Sequence, residues 1–169
     1  AASRNLKMLS KERVTQEVLK LLAVAKCPPV LTIMQCHKIL LEVIAPAYEE
    51  TLLKSLIKKQ KDVDMAARLL VLCGNRIAGL KKIGHALRLT NKTVLQMGAI
   101  LAAQKTLQKF DPHFVLLSLY KHGRAATLQA LYIMNAPARL MRLAEAGEIP
   151  VFPYNGKTLL KAGYKSGPE

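Results

Sequence analysis

The sequence has no tryptophan, and only 5% of its residues are aromatic. Its apolar half (51%) is therefore carried by Leu, Ile, Val, Ala and Met, side chains suited to packing between helices. Cysteine is scarce and odd in number. Cys27, Cys36 and Cys73 form no CxxC pair and no disulfide framework, and Cys27, Cys36 and His37 fall short of a four-ligand zinc set. No apolar run is long enough to cross a bilayer, because charge or proline interrupts each one before about 20 residues. No segment alternates apolar and polar residues as a half-buried strand would. Acid is scarce relative to base: 11 Asp and Glu face 26 Lys and Arg, a formal net charge of +15. Solubility asks for far less. A field of this sign attracts polyanions, with nucleic acid the first candidate and an anionic membrane surface the second.

The chain is rich in helical periodicity. Val14, Val18, Leu21, Leu22 and Ala25 recur at three- and four-residue intervals after Ser10, and "CPPV" ends that helix because Pro28 and Pro29 lack amide donors. Thr32 is the predicted cap of a second helix, "IMQCHKILLEVIA", which stops near Pro46. A third runs from about Ala47 to Gln60, turning Leu52, Leu53, Leu56 and Ile57 inward. Asp62 or Asp64 caps "MAARLLVLC", and Gly74 terminates it. Two helices meet in "KKIGHALRLTNKTVLQMGAI", the second continuing to about Phe110. Asp111 followed by Pro112 opens another helix, ended by Gly123, and "RAATLQALYIM" and "APARLMRLAEAG" form a last pair. The expected architecture is all-α, a compact bundle or irregular array of seven or eight short helices. Residues 1–9 are a basic N-terminal arm, residues 10–147 a single helical domain, and residues 148–169 an extended Pro/Gly-containing tail.

Charge is unevenly placed. Between Met65 and Ala144 a single acid, Asp111, stands against twelve basic residues, a net +11. They are Arg68, Arg76, Lys81, Lys82, Arg88, Lys92, Lys105, Lys109, Lys121, Arg124, Arg139 and Arg142. A helical protein selected for solubility alone intersperses both signs. Phosphate backbones neutralise such a surface and release counterions in doing so.

The segment from Ile83 to Met97 is the most specific local pattern. On the first of its helices Ile77, Leu80, Ile83 or Gly84, and Leu87 form the inward stripe, while Lys81, His85 and Arg88 form another. Gly84 is small enough for a close helix crossing, Leu87 and Leu89 plug the corner, and Val94, Met97 and Leu101 face inward from the second helix. Lys92, Gln96 and Gln104 are placed nearer the outside. In these positions the segment resembles the helix-turn-helix family. The resemblance implies that Asn91, Lys92, Thr93 and Gln96 contact a groove or phosphates of duplex DNA. Arg88 stands where the family usually has glycine. Positive φ is costly for a side chain with a Cβ, so a different corner geometry is expected.

Catalytic chemistry finds little support. The neighbouring carboxylates Asp62 and Asp64 sit at a helix start, as do Glu49 and Glu50, where the helix dipole favours them. His85, His113 and His122 have no evident Ser or Asp constellation, and "YNGKTLL" reproduces only the last three letters of a phosphate-binding loop. Tyr154 and Tyr164 in the tail are weak candidates for stacking on RNA. The expectation is a non-catalytic, cofactor-free RNA-binding component of a large ribonucleoprotein, such as a mitochondrial ribosomal subunit, with neighbouring proteins as further partners. Its predicted nucleic-acid surface comprises Arg76, Lys81, Lys82, His85, Arg88, Asn91, Lys92, Gln96, Lys105, Lys109, Lys121, Arg124, Arg139 and Arg142. The alternatives are a duplex DNA-binding protein built on the Ile83–Met97 segment and a helical adaptor for proteins or membranes.

Overall fold

A computed structural model describes residues 10–40, 49–149 and 156–164, and for Ala78, Gly79, Lys82 and Gly156 the backbone alone. The predicted arm at 1–9, the predicted helix beyond Leu40 and Tyr154 lie outside the described residues. Among these residues the fold is all-α, with nine helices and no strand. They are α1 (Lys11–Ala23), α2 (Cys27–Cys36), α3 (Glu50–Lys59), α4 (Met65–Leu72), α5 (Ile77–Ala86), α6 (Asn91–Thr106), α7 (Pro112–Ile133), α8 (Ala138–Ala146) and α9 (Gly156–Lys161). The pair α6 and α7 forms the centre. Helix α8 lies on α7, α5 on α6, and α4 against both central helices, with α1 and α3 packed on α4 and α2 on α3.

Local chemistry explains four of the helix starts. Ser10, Asp64, Thr90 and Asp111 each accept from a backbone amide of the first turn, at 3.2, 2.8, 3.3 and 2.8 Å. Each such cap contributes about 1 kcal/mol. The choice between Asp62 and Asp64 thus falls to Asp64. At the far end of α4, Gly74 and Asn75 take positive φ (78° and 53°), and the Asn75 amide reaches back to the Leu70 carbonyl at 2.8 Å.

Four predicted boundaries shift. Pro28 and Pro29 open α2 as well as closing what precedes them, because the first turn of a helix has amides to spare. Thr32 therefore lies inside α2, its hydroxyl between the Pro28 carbonyl and the Glu50 carboxylate. Helix α2 stops at Cys36, with Lys38 left-handed at φ 59°. Helix α6 ends at Thr106, short of Phe110, and the tail predicted to be extended contains α9.

The core is aliphatic. Leu22, Leu31, Leu53, Leu56, Leu69, Leu70, Ile83, Leu87, Met97 and Leu119 are all fully or almost fully enclosed. Burial of a leucine side chain stabilises by roughly 1.5–3 kcal/mol, so this cluster is the main source of fold energy. Ile77 departs from the predicted stripe: at the first residue of α5 it is half exposed.

Helix α7 is broken where the sequence predicts. Gly123 adopts φ 78° and ψ 169°, separating two helical arms. Ser118 and Thr127, both fully buried, share a 2.9 Å hydroxyl–hydroxyl hydrogen bond across the break. Each satisfies a group that would otherwise be stranded in an apolar interior.

Three basic side chains hold helix ends. The buried Arg68 guanidinium donates from Nη1 to the carbonyls of Leu22 (2.5 Å) and Ala23 (3.2 Å) at the end of α1, and from Nε to Gln60 Oε1 (2.9 Å). Arg124 donates to the carbonyls of Ala144 (2.6 Å), Glu145 and Gly147 (2.7 Å) at the end of α8. Lys59 donates to the Tyr132 carbonyl (3.2 Å) and to Asn135 Oδ1 near the end of α7. Cations at these termini complement the helix dipole and satisfy carbonyls without intrahelical partners.

Candidate nucleic-acid interface

The corner between α5 and α6 is closed by backbone hydrogen bonds. The Leu89 amide donates to the Gly84 carbonyl at 3.0 Å, and the Arg88 amide approaches the His85 carbonyl at 3.5 Å. Arg88 itself is left-handed, at φ 42°. This is the Schellman arrangement, in which the residue just past the helix usually is glycine. The expected departure in corner geometry is therefore absent: Arg88 takes up the positive φ despite its Cβ. Two contacts from α1 accompany it. Glu12 forms an ion pair with the Arg88 guanidinium, and the Thr15 hydroxyl donates to the Leu87 carbonyl at 2.6 Å. The Glu12 carboxyl is held below its ordinary range, by its own backbone amide and then by Arg88.

Gly84 faces the following helix at close range. A methyl group placed there would lie 3.3 Å from Val94 Cγ2, tighter than comfortable packing. Beyond the corner, α6 divides along its length. Met97, Ile100, Leu101 and Ala103 are buried, whereas Asn91, Lys92, Leu95 and Gln96 in its first two turns are exposed. Leu95 is not among the residues of the predicted surface. The signal was available, because it falls outside the Val94–Met97–Leu101 stripe, and it is 73% exposed. Gln104, predicted nearer the outside, exchanges two 3.0 Å hydrogen bonds with the Asn75 side chain.

The remaining predicted residues separate into two groups. Arg76, Lys81, His85, Lys105, Lys109, Lys121, Arg139 and Arg142 are exposed, and none of the eight forms an ion pair with a described residue. The Lys82 side chain lies outside the described residues. Arg124 belongs to the second group: its guanidinium is spent on the end of α8, so it positions a helix and presents little to a ligand. Arg68 is withdrawn in the same way, at 3% exposure. The sequence alone could not separate these two from the exposed cations, because their partners are backbone carbonyls 20 or more residues away.

A cleft of about 180 Å³ opens beside α6 at the break in α7, lined by Asp64, Gln96, Ala99, Ile100, His122, Ala125 and Ala126. Its histidine is held by a hydrogen bond. Thr106 Oγ1 lies 3.2 Å from the Ala102 carbonyl and 2.9 Å from His122 Nε2. In a neutral ring Nε2 either donates to this hydroxyl or accepts from it, according to the tautomer. Burial first, and the neighbouring Lys121 charge second, push the His122 pKa down and favour that neutral form.

Cys27 and Cys73 are buried and Cys36 is exposed. Burial raises both enclosed thiols, Cys73 to about 11. Among the described residues no group of three or more His, Cys, Asp or Glu could hold a metal ion, and no helix is long and apolar enough to cross a membrane. No family model, curated protein or solved structure matches the chain.

Proposed function

We propose that this protein is a non-catalytic RNA-binding component of a large ribonucleoprotein assembly, of the kind found in a mitochondrial ribosome. One observation carries the reading. Exposed Lys and Arg side chains on α5, α6, α7, α8 and the α6–α7 connection have no acidic partners among the described residues. Their spread over several elements suits phosphates of a folded RNA, which present charge over a broad and irregular surface. A protein reading duplex DNA concentrates its contacts on one inserted helix.

The test is a binding titration of structured RNA, with duplex DNA as competitor, over rising KCl. Affinity for RNA is expected to fall linearly on a log–log plot, with a slope reduced by roughly 0.7–0.9 for each phosphate contact removed. Neutralising Lys81, Lys92, Lys105 and Lys121 together should reduce that slope; an unchanged slope and affinity would reject this surface as the contact. Purification from native extract should recover RNA with the protein, and a protein-only or membrane complex would overturn the proposal.

The α5–α6 corner favours a second reading, duplex DNA binding. Left-handed Arg88, the approach of Gly84 to Val94 and the exposed Asn91, Lys92 and Gln96 are what a groove-reading helix pair requires. Asn91→Ala distinguishes the two. Losses confined to particular duplex sequences support the DNA reader, whereas small losses shared by all nucleic acids support RNA phosphate binding.

A further inference from the structure

We infer that the cleft at the break in α7 receives a single unstacked nucleobase carrying an exocyclic amine, an inference that rests on the nucleic-acid reading above. Its shape is the first support. At about 180 Å³ it is smaller than the roughly 300 Å³ at which drug-sized pockets begin, and it has room for one planar ring system. Ala99, Ala125 and Ala126 give it small apolar walls on α6 and α7. The break at Gly123 separates His122 from Ala125 and Ala126, so the cleft owes its form to the local loss of helix.

Its polar groups are the second support. Asp64, Gln96 and His122 stand around those alanines. The Gln96 amide is exposed and makes no hydrogen bond with a described residue, so both its donor and its acceptor are available. The Asp64 carboxylate uses one oxygen to cap α4 and retains acceptor capacity on the other. Burial favours the neutral form of His122, whose Nε2 is engaged with Thr106 Oγ1 at 2.9 Å.

Charge decides what enters. The cleft carries one formal negative charge, from Asp64, while the chain that follows it, Met65 to Ala144, has a net charge of +11. Phosphate is repelled from the cleft and attracted to its surroundings, where Lys92 lies one helical turn before Gln96 and Lys121 adjoins His122. A nucleotide satisfies both demands when its phosphate stays on the lysines and its base turns inward. Carboxylate and amide acceptors favour cytosine, adenine or guanine over uracil, which has no exocyclic amine. Duplexes cannot supply such a base, because theirs are stacked and paired; single-stranded loops can.

The experiment measures binding of the full chain to labelled 12-nucleotide oligo(C), oligo(A) and oligo(U), and to a blunt RNA duplex, at one salt concentration. Oligo(C) or oligo(A) is expected to bind at least about ten-fold more tightly than oligo(U), the equivalent of one added hydrogen bond to a charged group. Ala125→Leu, at an exposed position, fills the cleft and should erase that preference while leaving oligo(U) and duplex binding unchanged. Gln96→Ala, which adds no bulk, should reduce the preference in the same direction, and it keeps the test decisive if Ala125→Leu does not fold. Equal affinity of the wild-type chain for all three oligonucleotides would overturn the base site and leave the RNA proposal standing. A preference untouched by both variants would overturn it too. Absence of salt-dependent binding to any nucleic acid would instead overturn the proposed function.

Discussion

At the residue scale, Arg88 and Cys73 show how much a single position can cost or contribute. Arg88 occupies a left-handed conformation that glycine adopts freely, and an L side chain there loses roughly 1–2 kcal/mol. Its exposed ion pair with Glu12 returns little, because solvent screens both partners. Arg88→Gly is therefore expected to raise the urea midpoint, by an amount equivalent to about 1 kcal/mol, while Arg88→Ala should not. If glycine lowered stability, the ion pair and the Thr15 contact would carry more of the corner than backbone strain does. Cys73 acts through its proton. Burial raises its thiol from an ordinary 9.0 to about 11, so between those values the unfolded chain releases a proton that the folded chain retains. The stabilisation is complete below pH 9 and fades as pH climbs through 11, a loss of up to about 3 kcal/mol. Lys59, whose pKa burial lowers, pulls the other way, yet it is common to wild type and Cys73→Ala. Urea midpoints of the two chains between pH 8 and 11 should thus converge as pH rises. Parallel curves would show that Cys73 ionises as an ordinary thiol in the folded state.

At the scale of elements, the helices were legible wherever their signals were local. Ser10, Asp64, Thr90 and Asp111 cap helices because a short polar side chain reaches an amide two or three residues on, a relation contained in the sequence itself. The break at Gly123 was readable for the same reason. Thr32 has the same cap-like chemistry but finds Glu50 of another helix, a tertiary partner that propensity cannot anticipate. The double proline at Pro28–Pro29 was ambiguous in principle, since proline both bars continuation and suits a first turn. The exposed stripe of Lys81, His85 and Arg88 followed from helical period, as did the buried Leu80, Ile83 and Leu87. The cleft did not. Its residues come from the start of α4, the middle of α6 and both sides of the break in α7, and only tertiary packing brings them together. The roles of Arg68 and Arg124 were illegible for a related reason: each resembles an exposed cation until the helix end that it serves is packed beside it.

For the whole molecule, the net charge of +15 has an energetic consequence that the aliphatic core must offset. Part of the basic excess is internal. Arg68, Arg124 and Lys59 stabilise helix ends, and removing them would cost folding energy without relieving much surface repulsion. The exposed remainder repels itself, because unpaired like charges crowd a small folded surface more than an expanded chain. Screening length falls from about 30 Å at 0.01 M salt to about 8 Å at 0.15 M, so added KCl should stabilise the fold over that range. The same salt should weaken the proposed RNA binding, because counterion release loses its driving force. These opposed responses come from one set of side chains. Converting Lys81, Lys92, Lys105, Lys109 and Lys121 to Gln should therefore raise stability at 0.01 M KCl and flatten its salt dependence. It should also lower RNA affinity and flatten the salt dependence of binding. The two flattenings are expected together in one variant, measured by thermal melts and by binding titrations across the same KCl series. A variant whose stability becomes salt-independent while its RNA binding keeps the wild-type slope would place the RNA contacts on other residues.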